Sequence, residues 1–352
     1  HKISLFTIVI EINMSQEIRV WVTGILGDLG QAVLKALRLS SRCIQFYGSD
    51  MSNRGTGHAF VENFYTLPHA NDSNYLSCLN DFCQEFNISV VIPASEPEIY
   101  ILSRLGDPPQ LPCGVPILCQ NHSFIDRYGD KLKCMEALSE EIELAPFADG
   151  QNLDLVNQMI SEYGFPVVVK ERKSSGSRSI KKVSNYKDLD QALNSTSLPI
   201  VQSYIDDTFG EFSIGAFSTQ DLTRCISFKR ELGLVGCSWF AEFNDDIDVL
   251  NYADKIVKSV HPLGSINIQV RKSIYGVKLL EINPRISSLV AARSLSGFHD
   301  LAWSLDMILG GITYLDTPTI YPIRYQRFFA DLVDYGNGFG RVSSWDCPES
   351  KK

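Results

Sequence analysis

Residues 277–289 read VKLLEINPRISSL, and the alternation of side-chain types in this stretch decides which fold is predicted around it. Glu281, Asn283 and Arg285 recur at intervals of two residues, so on a β-strand they would share one face. A carboxylate, an amide and a guanidinium on one face are suited to holding a metal ion and an anion. The competing interpretation is a salt-bridged polar patch on an ordinary strand.

Composition restricts the class of protein. The chain has 352 residues, enough for two or three domains, with 44% hydrophobic and 21% charged residues, as in soluble globular proteins. The net charge of −9 argues against nucleic acid or an anionic membrane as a partner, because phosphate binding needs clustered Lys and Arg. Nine scattered cysteines without a C-x-x-C pair predict a reducing, cytoplasmic location, and six dispersed histidines argue against zinc.

The first residues are treated separately from the folded part. Residues 1–13 precede Met14, and the apolar run from Ile3 to Ile12 is too short to span a bilayer. We interpret residues 1–17 as an N-terminal extension or an extra edge strand. No other apolar run approaches the length that a membrane span requires.

From Ile18 onward, strands alternate with helices. The segment IRVWVTG is followed by a glycine turn, a helix, the strand CIQFYGSD, a helix, the strand ISVVIPAS, the helix PEIYILSRL and the strand CGVPILC. Such alternation predicts a parallel α/β sheet, here a Rossmann-like domain over residues 18–120.

The second half of the chain has a different pattern, typical of an α+β fold. A helix is predicted over 123–140, and a hairpin follows in EYGFPVVVKERKSSGSRSIKKVSN. EFSIGAFS, RCISFKREL, SINIQVRK and GVKLLEINP are predicted strands of a mainly antiparallel sheet. On the last of these strands, Leu280 and Ile282 are expected to point into the core.

A glycine-rich turn after the first strand is one candidate nucleotide site. Thr23, Gly24, Gly27 and Gly30 form the pattern T-G-x-x-G-x-x-G, and Asp50 ends the next strand. This pattern is typical of NAD(P)-dependent short-chain reductases, which remain an alternative function. Such reductases also carry Tyr-x-x-x-Lys, and none of the fourteen tyrosines here has Lys four residues on. The turn is also explained as the tight turn of a Rossmann-like domain without a cofactor.

A second candidate site begins at Lys170, where a strand ends and a Ser/Gly-rich turn follows. Small residues let backbone N–H groups fold over phosphates, while the lysine supplies charge. The residues of this phosphate loop are Ser174, Ser175, Gly176, Ser177 and Arg178. An ordinary surface hairpin is the alternative.

Other short motifs occur in a fixed order around that turn. They are Asp130-Lys131, Gln202-Ser-Tyr204-Ile205, Gly210-Glu211, Asn267-Ile-Gln269 and Glu281-Ile-Asn283-Pro-Arg285. Over about residues 18–310 the chain therefore resembles the ATP-grasp superfamily, in particular its carbamoyl phosphate synthetase-like branch, as a single unit. The resemblance implies a Rossmann-like pre-ATP-grasp domain followed by a two-lobed ATP-grasp fold. The small lobe would be 121–200, the large lobe 201–315, and a C-terminal extension 316–352.

The resemblance also implies a role for each matching residue. Lys131 and Lys170 would bind the ATP phosphates, and Lys170 and Arg285 would act in catalysis. Gln202, Tyr204 and Ile205 belong to the linker that reads adenine through its backbone, and Glu211 would accept hydrogen bonds from the ribose.

The metal site implied by the resemblance consists of Gln269, Glu281 and Asn283. Two Mg²⁺ ions, with Mn²⁺ as a substitute, would be held together with the ATP phosphates. One carboxylate among three ligands predicts weak affinity for free metal, so the metal should arrive with ATP. Arg285 cannot bind a metal, and its guanidinium fits a carboxylate or an acyl phosphate.

The function implied is ATP-dependent ligation of a carboxylic acid to an amine or ammonia, through an acyl phosphate, with release of ADP and phosphate. A nucleotide-binding protein without turnover is a further alternative. The sequence does not identify either small-molecule substrate, and a homodimer through the first domain is the expected assembly. Candidate substrate contacts are Arg230, Glu231, Ser287, Ser288 and Arg293.

Overall fold

A computed structural model describes residues 17–173, 180–233, 236–310, 315, 317–327, 331–334 and 339–342. Its first sheet is parallel and confirms the predicted Rossmann-like pattern. The strands are β1 (Ile18–Val22), β2 (Ile44–Asp50), β3 (Asn63–Thr66) and β4 (Val90–Ile92), in the order β3-β2-β1-β4. The helices are α1 (Asp28–Arg38), α2 (Tyr75–Glu85) and α3 (Glu96–Leu102), with a 3-10 turn at Thr56–Phe60. The predicted strand CGVPILC contributes a single parallel bridge, between Ile117 and Val91.

A small antiparallel sheet follows, preceded by two helices. The helices are α4 (His122–Tyr128) and α5 (Lys131–Leu138). The sheet has the order β5-β8-β6-β7 and consists of β5 (Phe147–Asp149), β6 (Val167–Glu171), β7 (Lys181–Val183) and β8 (Pro199–Ser203), with α6 (Leu153–Tyr163) and α7 (Tyr186–Asn194). The predicted hairpin is the antiparallel pair β6–β7.

The helix predicted over 123–140 was wrong in one respect, because it is two helices. Gly129 ends the first, and Asp130 caps the second by accepting hydrogen bonds from the N–H groups of Leu132 and Lys133. Arg172 donates two hydrogen bonds of 3.0 Å to the same carboxylate. Satisfying orphan N–H groups with Asp130 starts a new helix at this point.

A large antiparallel sheet completes the described fold. Its order is β13-β12-β9-β10-β11-β14, and its elements are β9 (Gly210–Ser218), β10 (Thr223–Leu232), β11 (Ser238–Asn244), β12 (Gly264–Ser273), β13 (Gly276–Asn283), β14 (Arg324–Gln326), α8 (Ile247–Val260), α9 (Val290–Leu295) and α10 (Asp300–Ile308). A separate hairpin pairs β15 (Asp331–Asp334) with β16 (Phe339–Val342). No helix among the described residues is long and apolar enough to cross a membrane.

A β-bulge interrupts the pairing of β12 with β13. Gln269 lies opposite Glu281, but Val270 lies opposite Leu279, so Leu280 has no partner in the ladder. The expectation that Leu280 points into the core was therefore wrong: Leu279 and Ile282 are buried there, while Leu280 is half-buried. The bulge adds one residue to the alternation just before Glu281.

The first sheet shares one hydrophobic core with α9, α10 and the loop that follows β13. Ile286, Val290, Leu301 and Leu305 come from the large-sheet part of the chain and are buried in the cluster formed around α1 and β1. Apolar burial of this kind is the main stabilising term in folding. The packing fixes α9 and α10 against α1, and with them the loop that follows β13.

A buried ion pair lies beneath that loop. The Arg293 guanidinium is 1% exposed and donates to both oxygens of Asp300, at 3.0 and 2.7 Å, and to the Ser287 hydroxyl at 2.8 Å. Ser265 donates to the same carboxylate. The side chain lies against Gly215, where a Cβ would come within 2.2 Å of the Arg293 Cδ. Arg293 thus links α9, α10 and the large sheet.

We predict that Arg293→Ala destabilises the protein by about 3–5 kcal/mol, because it leaves the Asp300 carboxylate buried without its cation. Urea unfolding followed by circular dichroism measures the change. Lys258→Ala is the matched control, since Lys258 pairs with Asp254 on the exposed surface of α8 and its loss should cost about 0.5 kcal/mol or less. Equal losses of unfolding free energy in the two variants would contradict the prediction that the buried pair contributes more to stability than the exposed one.

Candidate active site

Glu281 is the centre of the candidate site. Its carboxylate Oε2 lies 3.1 Å from the Nζ of Lys131, the first residue of α5, and its Oε1 accepts a 3.1 Å hydrogen bond from the Asn283 amide. Burial alone would raise the pKa of Glu281, but the nearby ammonium of Lys131, with Asn283 and Lys170, holds it below its usual value. The carboxylate is therefore ionised and able to bind cations.

Lys170 approaches the same place from the small sheet. It is 5% exposed, and its Nζ donates to the Gln202 side chain at 2.7 Å and to the Leu280 carbonyl at 3.1 Å. The bulge explains the second contact, because the unpaired residue offers its carbonyl outside the ladder. Burial and the neighbouring charge of Lys131 lower the pKa of Lys170 to about 8.

A second charged cluster lies on the neighbouring strands. Glu211 accepts from Arg230, at 2.6 and 3.0 Å, and from Arg271, at 2.9 and 3.1 Å. Arg230 also donates a 2.6 Å hydrogen bond to the Gln269 side chain. The predicted ribose acceptor, one predicted metal ligand and one predicted substrate contact are thus joined in one network. Two of the three predicted metal ligands carry a cationic partner, Lys131 on Glu281 and Arg230 on Gln269.

The predicted adenine linker follows β8, and several of its groups are bonded within the chain. The N–H of Tyr204 donates to Pro166 at 3.0 Å, and the Ile205 carbonyl accepts from Arg271 at 3.0 Å. The Tyr204 ring lies 3.5 Å below the Nζ of Lys182. The Gln202 side chain orients Lys170, a contact that the sequence did not predict.

Arg285 lies just beyond the end of β13. Its guanidinium forms an ion pair with Glu96 of α3 at 2.8 Å and donates to the Ile286 carbonyl at 3.1 Å. The side chain is about one-fifth exposed, at 20%. Arg285 therefore connects the end of β13 to α3 of the first domain.

A cavity of about 1250 Å³ lies next to these groups. Its polar side is formed by Ser213, Arg230, Asn267, Gln269, Glu281, Asn283, Arg285, Ser287 and Ser288. Most of the predicted metal ligands and substrate contacts therefore meet in one space. Arg293 does not line it, being buried beneath the neighbouring loop, and Glu231 is exposed on the other face of β10. The phosphate-loop residues Ser174 to Arg178 lie outside the described residues.

Sequence reasoning missed some residues of this cavity. Ser213 lies opposite Gln269 on β9, and its hydroxyl donates to the buried side chain of Asn267 at 2.8 Å. Alternation along β9 and β12 could have indicated both, because each lies two residues from a predicted site residue. Trp239 and Arg327 carried no such signal.

Arg327 contacts three separate parts of the chain at one end of the cavity. Its Nε donates to the Ser238 carbonyl at 2.8 Å, its Nη2 to the Ser288 carbonyl at 3.1 Å, and its Nη1 forms an ion pair with Asp28 at the start of α1. We call this set of contacts the Arg327 clasp. It brings the beginning of β11, the loop after β13 and the first sheet to one place.

The comparison with known families agrees with this geometry. Residues 128–288 match the family "ATP-grasp domain", and residues 26–112 match "PylC-like, N-terminal domain". The chain contains an ATP-grasp domain. The predicted enzyme class, an ATP-grasp ligase, is thereby confirmed, and the predicted fold with it. No curated protein sequence matches the chain.

Solved structures share this fold over most of the chain. The biotin carboxylase domain of Hydrogenobacter thermophilus 2-oxoglutarate carboxylase, in complex with MgADP, ADP and bicarbonate, is 13% identical with a TM-score of 0.68, over 85% of this chain and 71% of that chain. N5-carboxyaminoimidazole synthetase from Staphylococcus aureus, complexed with ADP, is 16% identical with a TM-score of 0.68, over 88% and 82%. L-amino acid ligase from Bacillus licheniformis is 15% identical with a TM-score of 0.64, over 84% and 75%.

The glycine turn of the N-terminal match is explained by contacts within the chain. Gly24 adopts a left-handed φ of +61°, and a Cβ on Gly30 would lie 2.5 Å from the Gly24 carbonyl oxygen. The Asp50 carboxylate accepts from the N–H groups of Leu26, at 3.0 Å, and Met51, at 2.8 Å. The carboxylate that would hold a ribose in a reductase therefore stabilises its own turn.

The donor set of the ATP-grasp domain fits magnesium. Glu281, Asn283 and Gln269 offer oxygen atoms, which Mg²⁺ prefers, and Gln269 lies directly opposite Glu281 in the sheet. Among the described residues no group of three or more His, Cys, Asp or Glu could hold a metal ion by itself.

We predict that binding of an ATP analogue depends on pH through Lys170. A lysine with a pKa of about 8 is charged below pH 8 and loses its proton above it, and phosphates need the charged form. The wild-type Kd for Mg-AMP-PNP should therefore rise between pH 8 and 10, by at most about tenfold per pH unit. Lys170→Arg keeps its charge over this range and should show a flat profile.

Isothermal titration calorimetry at pH 7, 8, 9 and 10 measures these constants. Lys258→Arg, on the exposed surface of α8, is the control and should retain the wild-type profile. Parallel profiles for wild type and Lys170→Arg would contradict the role given to Lys170.

Proposed function

We propose that the chain is an ATP-dependent ligase that joins a carboxylic acid to an amine or to ammonia. A substrate carboxylate oxygen attacks the γ-phosphorus of ATP, and ADP leaves. The amine then attacks the carbonyl carbon of the acyl phosphate, loses a proton, and inorganic phosphate leaves. The carbamoyl phosphate synthetase-like branch, a cytoplasmic location and a homodimer remain predictions within this proposal.

The observation that carries the proposal is the convergence of Lys131 and Lys170 on Glu281. The buried ammonium groups of Lys131, from α5, and Lys170, from the small sheet, lie beside the half-buried carboxylate of Glu281 on β13, with Arg230 held on Gln269 nearby. Placing several cations around one or two acidic groups costs desolvation free energy. A bound anion would offset that cost. A triphosphate would take up the cations and free Glu281 and Gln269 for magnesium.

Each group has a defined task in this reaction. Lys131 and Lys170 bind phosphate oxygens, Glu281, Asn283 and Gln269 hold the metal, and Arg285 holds the carboxylate or the acyl phosphate. Magnesium, when bound, would offset negative charge on the phosphates. Catalysis then rests on positioning and electrostatic stabilisation, as in other phosphoryl transfers.

Two alternatives are weaker. A reductase would use the glycine turn, whose Asp50 is engaged by Leu26 and Met51. A nucleotide-binding protein without turnover would have no use for Arg285 beside the metal ligands, in the cavity that they share. MgATP should therefore raise the melting temperature, whereas NADH and NADPH should not.

We predict that Glu281→Gln abolishes ADP release, because an amide cannot supply the charge that holds the metal with the phosphates. ADP release is measured with a coupled assay over a matrix of carboxylates and amines that includes ammonia. Glu242→Gln, which changes an exposed carboxylate of β11, is the matched control and should retain the rate. Near-wild-type turnover in Glu281→Gln would refute the metal site.

We predict that Arg285→Ala retains Mg-AMP-PNP binding but lowers the rate with saturating substrates by a factor of about 100–1000, as for loss of one oxyanion donor. Stopped assays give the rate, and calorimetry gives the affinity. Arg324→Ala removes an exposed arginine of β14 and serves as the control. An unchanged rate in Arg285→Ala would show that this guanidinium does not contact the reacting group.

A further inference from the structure

The cavity beside the metal ligands has an apolar side that the proposed reaction does not by itself explain. Leu29 of α1, Leu232 of β10, Trp239 of β11, Leu289 after β13 and Tyr325 of β14 contribute to it. These side chains come from five separate parts of the chain. They share one space with Glu281 and Arg285, and the polar residues Asp28, Gln31, Lys35, Gln326 and Arg327 border this apolar part of the cavity.

Trp239 is aimed at this space by a second β-bulge. Glu231 of β10 lies opposite Phe240, but Leu232 lies opposite Ser238, so Trp239 is the extra residue of β11 at this bulge. The indole lies against Gly233, where a Cβ would come within 3.2 Å of the Trp239 Cβ and 3.4 Å of its Cε3. A bulge beside a site commonly changes the direction of one side chain. Here the residue at the bulge is Trp239, whose large indole lines the cavity.

The Arg327 clasp places Trp239 within reach of the reacting end. It binds the carbonyls of Ser238, the neighbour of Trp239, and Ser288, three residues beyond Arg285. Three residues of chain span at most about 11 Å. A ligand whose carboxylate lies at Arg285 can therefore extend through the same cavity to the indole, because both residues line it.

We propose that the acid used by this enzyme carries a bulky apolar or aromatic group, and that Trp239 selects it. The inference rests on the proposed function only for the identity of the ligand's reacting end. An aryl or branched alkyl group placed against the faces of Trp239, Leu232 and Tyr325 gains from burial. A charged group at the same place would lose hydration, and Asp28 and Arg327 at this end of the cavity are already paired with each other.

Binding of three simple acids tests this selection. The probes are 3-phenylpropanoate, acetate and succinate, titrated calorimetrically into the protein with and without Mg-AMP-PNP. The wild type should bind 3-phenylpropanoate at least about tenfold more tightly than acetate or succinate. Trp239→Ala should weaken 3-phenylpropanoate about 10- to 100-fold while changing acetate less than about threefold, and Trp239→Phe should recover part of the loss.

Phe240→Ala is the matched control, because Phe240 is the next residue of β11 and does not line the cavity. It should leave all three affinities unchanged. Equal binding of the three acids by the wild type, or unchanged 3-phenylpropanoate binding in Trp239→Ala, would overturn the inference. Failure of Mg-AMP-PNP to bind would instead reject the proposed ATP-dependent function, while the nucleotide-free titrations would still decide the role of Trp239.

Discussion

The side chain of Glu281 is only 18% exposed, and a charge largely removed from water is stable only when opposite charges and hydrogen-bond donors surround it. Those partners come from distant parts of the chain: Lys131 from the start of α5, Lys170 from the small sheet, and Asn283 from its own strand. Because the β12–β13 bulge turns the Leu280 carbonyl toward Lys170, the small sheet and α5 both contact β13 at one place. These contacts help to fix the small sheet relative to β13.

Packing elsewhere in the protein helps to hold the groups around Glu281 in place. The first sheet shares its apolar core with α9 and α10, while the pair formed by Arg293 and Asp300 fixes those helices against the large sheet. Arg285 and Glu96 form a further link between the end of β13 and α3 of the first domain. The site is thus held by both apolar packing and charge pairing, and the charged contacts contribute specificity of position more than stability.

Much of this arrangement could be predicted from sequence, because alternation along a strand is a local property. Glu281 and Asn283 share a face, as their spacing predicted, and the order of motifs indicated the fold. The bulge at Leu280 could not be predicted, because Leu279 and Leu280 are both leucines and the sequence does not show which of them faces the core. The break at Asp130 was missed because its partner, Arg172, lies 42 residues away. The ends of Glu211, Gln269 and Arg230 meet across three strands, which no sequence spacing reveals.

The Arg327 clasp makes the cavity depend on a residue outside the segments that the families match. Those segments end at residue 288, yet a wall of the cavity depends on a guanidinium 39 residues further along the chain. A fragment that ended at residue 288 would therefore lack Arg327 and its contacts with Ser238, Ser288 and Asp28, although it would keep every residue of the motif. The motif residues alone are therefore a poor guide to the shape of this cavity, because part of its lining comes from segments that the motif does not include.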